Sequence, residues 1–570
     1  MDSGTNRSRA AAPASGNTVT DPLAPGAGRR GVLGLLGLGA AAVPLGALLT
    51  ACSSATPAGD NAKAAGSAPV DAGGDIEQLT IALPGSLSTL DVSHEAGILN
   101  YIAVLLAQES LLSVSPDGAL GAGLATSWTH PDPLTYVYEL RQNVTFWDGT
   151  PLTAADVVDS VEYHLDAANA SQLAYAYSTV KSVHATGSHQ VTIRLKQPYA
   201  MFQWTPTPST LLIGSKAYAA RHKGKLGTAS ALLMGTGPFK VTSFAPDDHV
   251  EFERNEKWWG GHVRVKKLRL TFVADDNTRL LAMRSGELDG AVNLPADRAA
   301  QWERIKDTEV HYASDHSVVA LAFNTSKAPW NDPKVRQAVA HATDRQGYVR
   351  SILRGKGEVA SALVTRGQWT GLLTDAEVRQ AYTAVPQYGY DINRARTLLA
   401  SSTAKDGFTE ELHYPASGSQ LGRAALALKE ALVPLGITLN VKEVPLEKWI
   451  SELSEPDRGL HFLWYYPTTG DPAELVEPYL DSAAIGSTNI AHYRNQAVHK
   501  DITEERASVS PAARGKALTD ALQRAGADLP YHSLWWGQSA TALSSKVGVK
   551  DFGTFFFIGP WATRLYPAGS

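Results

Sequence analysis

Ser178 and Lys181 are spaced as in the S-x-x-K motif, in which a lysine activates a nucleophilic serine. Such a pair would carry out acyl transfer in an exported hydrolase or transpeptidase. The S-D-N and K-T-G segments that accompany this motif are absent, and so are G-x-S-x-G and H-E-x-x-H. Since serine and lysine recur at this spacing by chance, the sequence assigns no catalytic residue. A serine hydrolase that uses Ser178 and Lys181 stays an alternative.

Metal and nucleotide chemistry also lack their usual residues. The 16 histidines are scattered, and no pair has the helical spacing of metal ligands. The sequence therefore predicts no cofactor and no metal site, although a receptor for nickel or a metal chelate stays an alternative. Residues 26–31 match G-x-G-x-x-G without a preceding strand, and no Walker A sequence occurs, so any ATPase must be a separate subunit.

The single cysteine, Cys52, follows an apolar stretch of 21 uncharged residues, 31–51. Leu49-Thr50-Ala51-Cys52 resembles a bacterial lipobox, in which the cysteine receives lipid before cleavage. Arg29 and Arg30 precede the apolar stretch and resemble the twin-arginine export signature. We therefore expect an export signal at 1–51, by the twin-arginine or the general secretory route, and a flexible tether at 52–75. The protein is predicted to lie outside the cytoplasm, lipid-anchored to the outer face of the cytoplasmic membrane.

The composition is that of a folded, acidic protein. The chain has 570 residues, of which 44% are hydrophobic and 19% are charged, and its net charge is −5. This length allows two or more domains, and the composition excludes wholesale disorder. An acidic chain without a basic block is also a poor candidate for binding nucleic acid. One cysteine excludes intrachain disulfides and cysteine-based zinc or iron–sulfur sites.

Strand and helix patterns alternate along the mature chain. Residues 79–83, 136–140 and 191–195 have the pattern of strands, while Thr153 begins a helix through a capping-box variant with Asp156. Leucine and alanine residues between 421 and 435 share one helical face, Gly436 ends that helix, and residues 437–441 follow as a strand. This alternation predicts α/β lobes with mixed sheets.

Seven segments, in order over most of the chain, then resemble one family. Residues 139–158, ELRQNVTFWDGTPLTAADVV, are similar to the F-x-L-R-x-x-V-x-F-H-D-G-x-P-L-T-A-x-D-V pattern of the family 5 (peptide/nickel-type) extracellular solute-binding proteins of ABC transporters, with Trp147 where histidine is usual. The other matching segments are 235–240, 254–259, 286–289, 324–345, 390–399 and 470–472. We expect most of these residues to specify turns and caps rather than to contact a ligand.

The resemblance implies a two-lobed periplasmic-binding-protein-like fold of type II, in the large three-subdomain variety. Lobe I would span 76–320 with an inserted subdomain, lobe II 321–536, and a return segment 537–570 would complete lobe I. Two hinge crossovers would lie near 318–324 and 535–540, with the ligand in the cleft between the lobes. The implied function is that of a monomeric, non-enzymatic receptor that delivers an oligopeptide-like or other polar solute to an ABC permease with separate ATPase subunits.

The resemblance also suggests pocket residues. Aromatic residues immediately before the 470–472 segment are expected to line the cleft, since their flat faces and polar groups suit peptides and other polar solutes. Other aromatic or polar candidates lie near the crossovers or in a segment that lacks the family's usual Pro-Gly turn. The ligand-binding candidates are Trp464, Tyr465, Tyr466, Thr468, Asp471, Trp369, Asn324, Trp535 and Trp536.

Thr468 departs from the pattern of peptide-binding relatives. Those relatives carry a segment similar to D-x-x-D-P, whose first aspartate pairs with the α-ammonium of the peptide. Here the segment is Thr468-Thr469-Gly470-Asp471-Pro472. We therefore expect that this receptor does not hold peptides by a free amino terminus, and that Asp471 serves as a turn or cap. A blocked or modified peptide, a glycoside or another polar metabolite would suit the site better.

Overall fold

The computed structural model describes residues 70–295, 298–453 and 455–569, without the side chain of Glu447. Helices and strands alternate along these residues, as the sequence predicts. The helices are Ile98–Val104, Ala154–Leu165, Lys216–Arg221, Asp276–Ser285, Ala299–Trp302, Pro333–Ala342, Arg345–Gly347, Asp375–Ala384, Ile392–Ala400, Ser419–Leu432, Leu446–Glu452, Ala473–Leu480, Gln496–Ala507 and Pro511–Asp528.

One mixed sheet of nine strands runs through the molecule. Two of its strands are unusually long, Thr308–Phe323 and Tyr531–Ser544, and they pair antiparallel along most of their length. We call them the crossover strands. In spatial order the sheet contains Leu460–Tyr465, Thr308–Phe323, Tyr531–Ser544, Gly290–Ala291, Ile76–Leu83, Val265–Phe272, His249–Arg254 and Phe239–Ala245, with Gly357–Val359 also paired to Tyr531–Ser544.

Smaller sheets surround the large one. An antiparallel sheet of four strands has the order Ala125–Asp132, Thr135–Leu140, Gln190–Leu195 and Val180–Gly187. The remaining pairs are Phe408–Pro415 with Ile437–Val444, which is parallel, Val547–Val549 with Leu565–Pro567, and Leu112–Val114 with Leu120–Ala122.

The buried hydrophobic side chains form separate cores at the two ends of the crossover strands. Three clusters contain buried residues only from before 314 and after 538, and two contain buried residues only from 318 to 536. We call the first group lobe I and the second lobe II. Since each lobe has its own core, the crossover strands are the covalent path between two bodies that pack independently.

Local sequence signals explain where several helices begin. The Asp156 carboxylate accepts hydrogen bonds from the backbone N–H of Thr153, at 2.9 Å, and from its hydroxyl, at 2.7 Å, as the predicted capping box requires. Asp332 caps the helix Pro333–Ala342 by accepting from the N–H of Lys334 at 2.9 Å. The capping box predicted at Thr153 is confirmed, and both caps depend on residues that are neighbours in the sequence.

Residues from two distant segments converge on Glu109 in lobe I. Its carboxylate accepts from the Thr236 hydroxyl at 2.7 Å and from the indole N–H groups of Trp258 and Trp259 at 3.1 and 3.0 Å. Burial raises the pKa of Glu109 to about 7 against these donors. The turn at Gly235 presses against the backbone of Ala107, so that a methyl group there would overlap the Ala107 carbonyl oxygen. These family segments therefore specify the fold, as the sequence suggested.

Candidate functional site

The crossover strands are interrupted where they pass from one lobe to the other. Their register runs from Thr308 opposite Ser544 to Ser314 opposite Gln538, and it resumes with Val318 opposite Trp536. Residues 315–317 therefore face Gly537 alone, and we call them the hinge bulge. A side chain at Gly537 would collide with the Ser317 hydroxyl and lie 2.8 Å from the Asp315 carboxylate. Because a bulge breaks the hydrogen-bond ladder, it is the point where the two strands bend most readily.

A cavity of about 340 Å³ lies beside the hinge bulge and is lined by both lobes. His316 points into it, with φ at +49°, and its Nδ1 lies 2.8 Å from the Thr365 hydroxyl. The Arg366 guanidinium lies 4.9 Å from the centre of the Trp536 ring and 3.1 Å from the Glu358 carboxylate. The lining residues are Asp117, Ser314, His316, Glu358, Thr365, Arg366, Gly367, Thr370, Trp536, Gly537, Gln538 and Thr554.

Aromatic side chains from both lobes meet near the end of the strand Leu460–Tyr465. Trp464, Tyr465 and Tyr466 are half-buried, and the Trp464 and Tyr466 rings lie 5.6 Å apart. Tyr175 of lobe I keeps 44% of its surface exposed, although burial among protein atoms and the charge of Glu474 raise its pKa to about 12. Burial, and then the charge of Glu474, raise the pKa of Tyr465 as well, so aromatic residues of both lobes lie around this carboxylate. We call Tyr175, Trp464, Tyr465 and Tyr466 the aromatic wall.

The predicted anchoring position, Thr468, is already occupied by an internal contact. Its backbone N–H and its hydroxyl donate to Oε1 of Glu474 at 2.8 and 3.0 Å, and Thr469 donates its N–H and hydroxyl to Oε2 at 2.7 and 2.6 Å. The Tyr465 hydroxyl adds a fifth hydrogen bond at 3.0 Å. Thr468 therefore donates to a carboxylate, and both carboxylate oxygens of Glu474 already accept hydrogen bonds.

Asp471 of lobe II contacts side chains of both lobes. Within lobe II it accepts from the N–H of Ala473 at 3.0 Å, as a cap, and lies 2.9 Å from the Arg514 guanidinium. Across the cleft, the Trp204 indole N–H and the Gln203 amide of lobe I lie 3.3 and 3.4 Å from its Oδ2. Asp471 borders a second cavity between the lobes, of about 370 Å³. Both carboxylate oxygens have partners, so Asp471 is a cap and a closure contact.

A buried network of charges continues from Asp471 into lobe II. Arg514 donates to Glu505 at 2.7 Å, and Arg506 donates to Glu477 at 2.7 Å and to Asp481 at 2.8 Å. Burial raises the pKa of both Glu477 and Glu505. With Asp471, four carboxylates in this network share two guanidinium groups, so each arginine compensates more than one acid.

The remaining candidates lie in other surroundings. Trp369 is buried in the core of lobe II, where its indole N–H donates a hydrogen bond to the Tyr382 hydroxyl. Asn324 is fully buried, and its side-chain amide donates to the backbone carbonyls of Pro456 and Arg458. Trp535 is buried in the other lobe II core, whereas Trp536 lines the hinge cavity. Trp369, Asn324 and Trp535 are therefore packed inside lobe II, and none of them is among the residues that line the two cavities described above.

Other predicted sites lie on the surface or outside the described residues. Ser178 and Lys181 are both exposed, and Ser178 follows a short turn of helix, Ala174–Tyr177. Arg29, Arg30 and Cys52 lie outside the part of the chain that the structure describes. Within that part, no helix is long and apolar enough to cross a membrane, and no group of three His, Cys, Asp or Glu side chains could hold a metal ion.

Sequence reasoning missed His316, Arg366, Tyr175, Glu474 and Asp315. Arg366 and Tyr175 carry no motif, and their positions depend on how the lobes face each other. Glu474 lies in the first turn of the helix Ala473–Leu480, but its partners Thr468 and Thr469 lie six and five residues before it, outside the spacing of a capping box. The hinge bulge has no local signal, because its register depends on a strand far along the chain.

Known proteins resemble this chain along most of its length. A model described as bacterial extracellular solute-binding proteins, family 5 middle, matches residues 119–487. Protein XP55 of Streptomyces lividans is 28% identical over 507 residues, which cover 86% of this chain and 88% of that protein. A probable di/tripeptide-binding protein 5 of Pseudomonas aeruginosa is 27% identical over 477 residues, 76% of this chain and 88% of that protein.

Solved structures share the fold. The periplasmic binding protein DppA of Helicobacter pylori, in complex with the peptide STSA, superposes with a TM-score of 0.72 at 22% identity. The match covers 86% of this chain and 98% of that chain. At this identity the likeness establishes the arrangement of lobes and crossover strands, which is the type II periplasmic-binding-protein fold.

Proposed function

The chain belongs to family 5 of the bacterial extracellular solute-binding proteins, and from this membership we propose that it captures a peptide-like solute in the cleft between its lobes. Members of this family are binding proteins of ABC importers and not enzymes, so this protein is the receptor component of an importer. Its hinge would be the bulge at residues 315–317 with Gly537, and closure would bury the solute against the aromatic wall.

The observation that carries the proposal is the wall of aromatic residues contributed by both lobes. Tyr175 stands on lobe I, while Trp464, Tyr465 and Tyr466 stand at the end of an edge strand on lobe II. An extended peptide in the cleft would place its side chains against these rings. The di/tripeptide-binding relative supports the same class of solute.

We propose further that the solute is not held by a free α-ammonium group at residue 468. Thr468 is neutral and donates to Glu474, and Asp471 is paired with Arg514, so neither offers a carboxylate. A desolvated ammonium group without its carboxylate costs about 3–5 kcal/mol, a loss of more than about a hundredfold in affinity. Blocked or modified peptides are therefore the favoured solutes, ahead of glycosides and other polar metabolites.

Titration with peptides tests this proposal. We expect a mixed library of di- to pentapeptides to bind about equally well before and after N-acetylation, as followed by tryptophan fluorescence. Bound peptide should compact the protein in solution scattering and stabilise it by about 2.7 kcal/mol at a hundredfold excess over Kd. Tight binding that disappears on N-acetylation would contradict the idea. Turnover of a substrate that is lost in Ser178→Ala would favour the hydrolase alternative instead.

A lipid anchor at Cys52 is the proposed means of keeping the receptor beside its permease. Signal cleavage would leave Cys52 at the mature amino terminus, at the start of the tether. The last part of the tether expected at 52–75 is bound to lobe I, because the Ala72 N–H donates to the Pro567 carbonyl at 2.9 Å and Asp75 pairs with Arg254 at 2.8 Å. We expect Cys52→Ser to leave the precursor unprocessed or to release the protein into the medium, because the lipidation site is lost. Fractionation and labelling with a radioactive fatty acid measure this. The wild-type amount of lipid on Cys52→Ser protein would disprove the anchor.

A further inference from the structure

Asp315 is a buried carboxylate of the hinge bulge with no cation paired to it in the described residues. It lies in the hinge bulge with only 5% of its surface exposed, and its Oδ1 accepts from the backbone N–H of Ser317 at 2.9 Å. Within the described residues, no lysine, arginine or histidine side chain forms an ion pair with it. Burial raises its pKa to about 7, and the donors from Ser317 in its own turn only partly oppose this. A buried carboxylate without a cation is unfavourable, and a carboxyl whose pKa is raised in this way marks a candidate functional site.

The aromatic wall is next to this carboxylate. Val318, directly after the bulge, pairs with Tyr465, which brings the bulge beside Tyr466. Burial, and then the charge of Asp315, raise the pKa of Tyr466. The Trp464 ring lies 5.6 Å from the Tyr466 ring at an angle of 57°. A carboxylate beside two tilted aromatic rings is the usual composition of a site for alkylammonium or guanidinium groups.

The other carboxylates near the aromatic wall already have partners within the protein. Glu474 accepts five hydrogen bonds, and Asp471 is paired with Arg514. Resting on the proposed function, we infer that Asp315, with the rings of Tyr466 and Trp464, receives a cationic side chain of the solute, an ammonium or guanidinium group. The receptor thereby selects peptides that carry a lysine- or arginine-like residue, and it does so without a free amino terminus.

Matched blocked tripeptides test this selection. The probes are N-acetylated, C-amidated Ala-Lys-Ala and the same peptide with norleucine in place of lysine, titrated by calorimetry. Wild-type protein should prefer the lysine peptide by about tenfold or more. In Asp315→Asn this preference should fall to within about twofold, with the Kd of the norleucine peptide unchanged, because the asparagine oxygen can still accept from Ser317.

Two further variants separate the cation site from a general effect on the hinge. Glu309→Gln removes an exposed carboxylate from the same crossover strand and should leave the preference intact. Tyr466→Leu should weaken the preference while keeping the carboxylate. Asp315→Asn should unfold at no lower temperature than the wild type, since it removes an uncompensated charge and breaks no ion pair. An equal preference in Asp315→Asn and wild type would overturn the inference.

A non-peptide probe distinguishes failure of the cation site from failure of the peptide proposal. If neither tripeptide binds, the peptide proposal is wrong, and n-butylguanidinium then tests Asp315 by itself in ligand-observed NMR. Binding that is lost in Asp315→Asn would support the cation site for another class of solute. Absence of binding to the wild type, or equal binding to both proteins, would overturn it.

Discussion

Replacing Arg514 by leucine is expected to lower the free energy of unfolding by about 3–5 kcal/mol, because the change removes one partner of a buried ion pair. Arg514 is 4% exposed and contacts both Asp471 and Glu505, which are 3% and 0% exposed. The two carboxylates would lose their cation while staying in the interior. Since Asp471 also receives the Trp204 indole of lobe I, the variant should close less readily on a solute. Urea unfolding and solution scattering measure the two effects.

Arg524 provides a matched control on the same helix, Pro511–Asp528. It pairs with Asp501 at 2.9 Å, but its side chain is 48% exposed. Arg524→Leu should therefore change the free energy of unfolding by no more than about 1 kcal/mol, as is usual for a surface ion pair. Equal losses in the two variants would mean that the buried network has no special role in lobe II.

Gly235→Ala is expected to cost about 3 kcal/mol or more and to reduce the yield of folded protein. The added methyl group would overlap the Ala107 carbonyl oxygen, which is backbone and cannot rotate away. Any relaxation would move Thr236 from Glu109, leaving that half-buried carboxylate with fewer donors. Thermal unfolding of the purified variant, followed by circular dichroism, measures the loss.

Gly389→Ala is the comparison for this substitution. An added methyl group at Gly389 meets no atom within 4 Å, and the residue is exposed. Its effect should lie within about 0.5 kcal/mol of zero. If Gly235→Ala were equally harmless, the close approach to Ala107 would not be what fixes this turn.

Local physics made much of the fold predictable. The caps at Thr153 and Asp332 depend on residues three or fewer positions away, so their pattern in the sequence is sufficient. The strands at 79–83, 136–140 and 191–195 were likewise indicated by alternation, and they lie within Ile76–Leu83, Thr135–Leu140 and Gln190–Leu195. The family resemblance supplied the rest of the architecture, which composition alone could not.

The site was predictable only in part, because a sequence does not show which face a residue presents. Trp464, Tyr465 and Tyr466 were predicted from their place before the 470–472 segment, and their role in binding stays a prediction. Trp369 and Trp535 are also tryptophans, but the packing of helices and sheet buries their side chains in the two hydrophobic cores of lobe II. Asp315 carried no signal at all, since its isolation results from a register shift between strands separated by the whole of lobe II.

The crossover strands also fix the order in which this chain can finish folding. In lobe I, Gly290–Ala291 pairs on one side with Ile81 and Ala82 and on the other with Ala542 and Leu543. The first lobe therefore lacks an inner strand of its sheet until the ribosome has made all of lobe II. Domains commonly fold in sequence as they emerge, but here loop closure over such a distance delays the first. Lobe II can acquire its core while lobe I is still open, so the half that is made first is completed last.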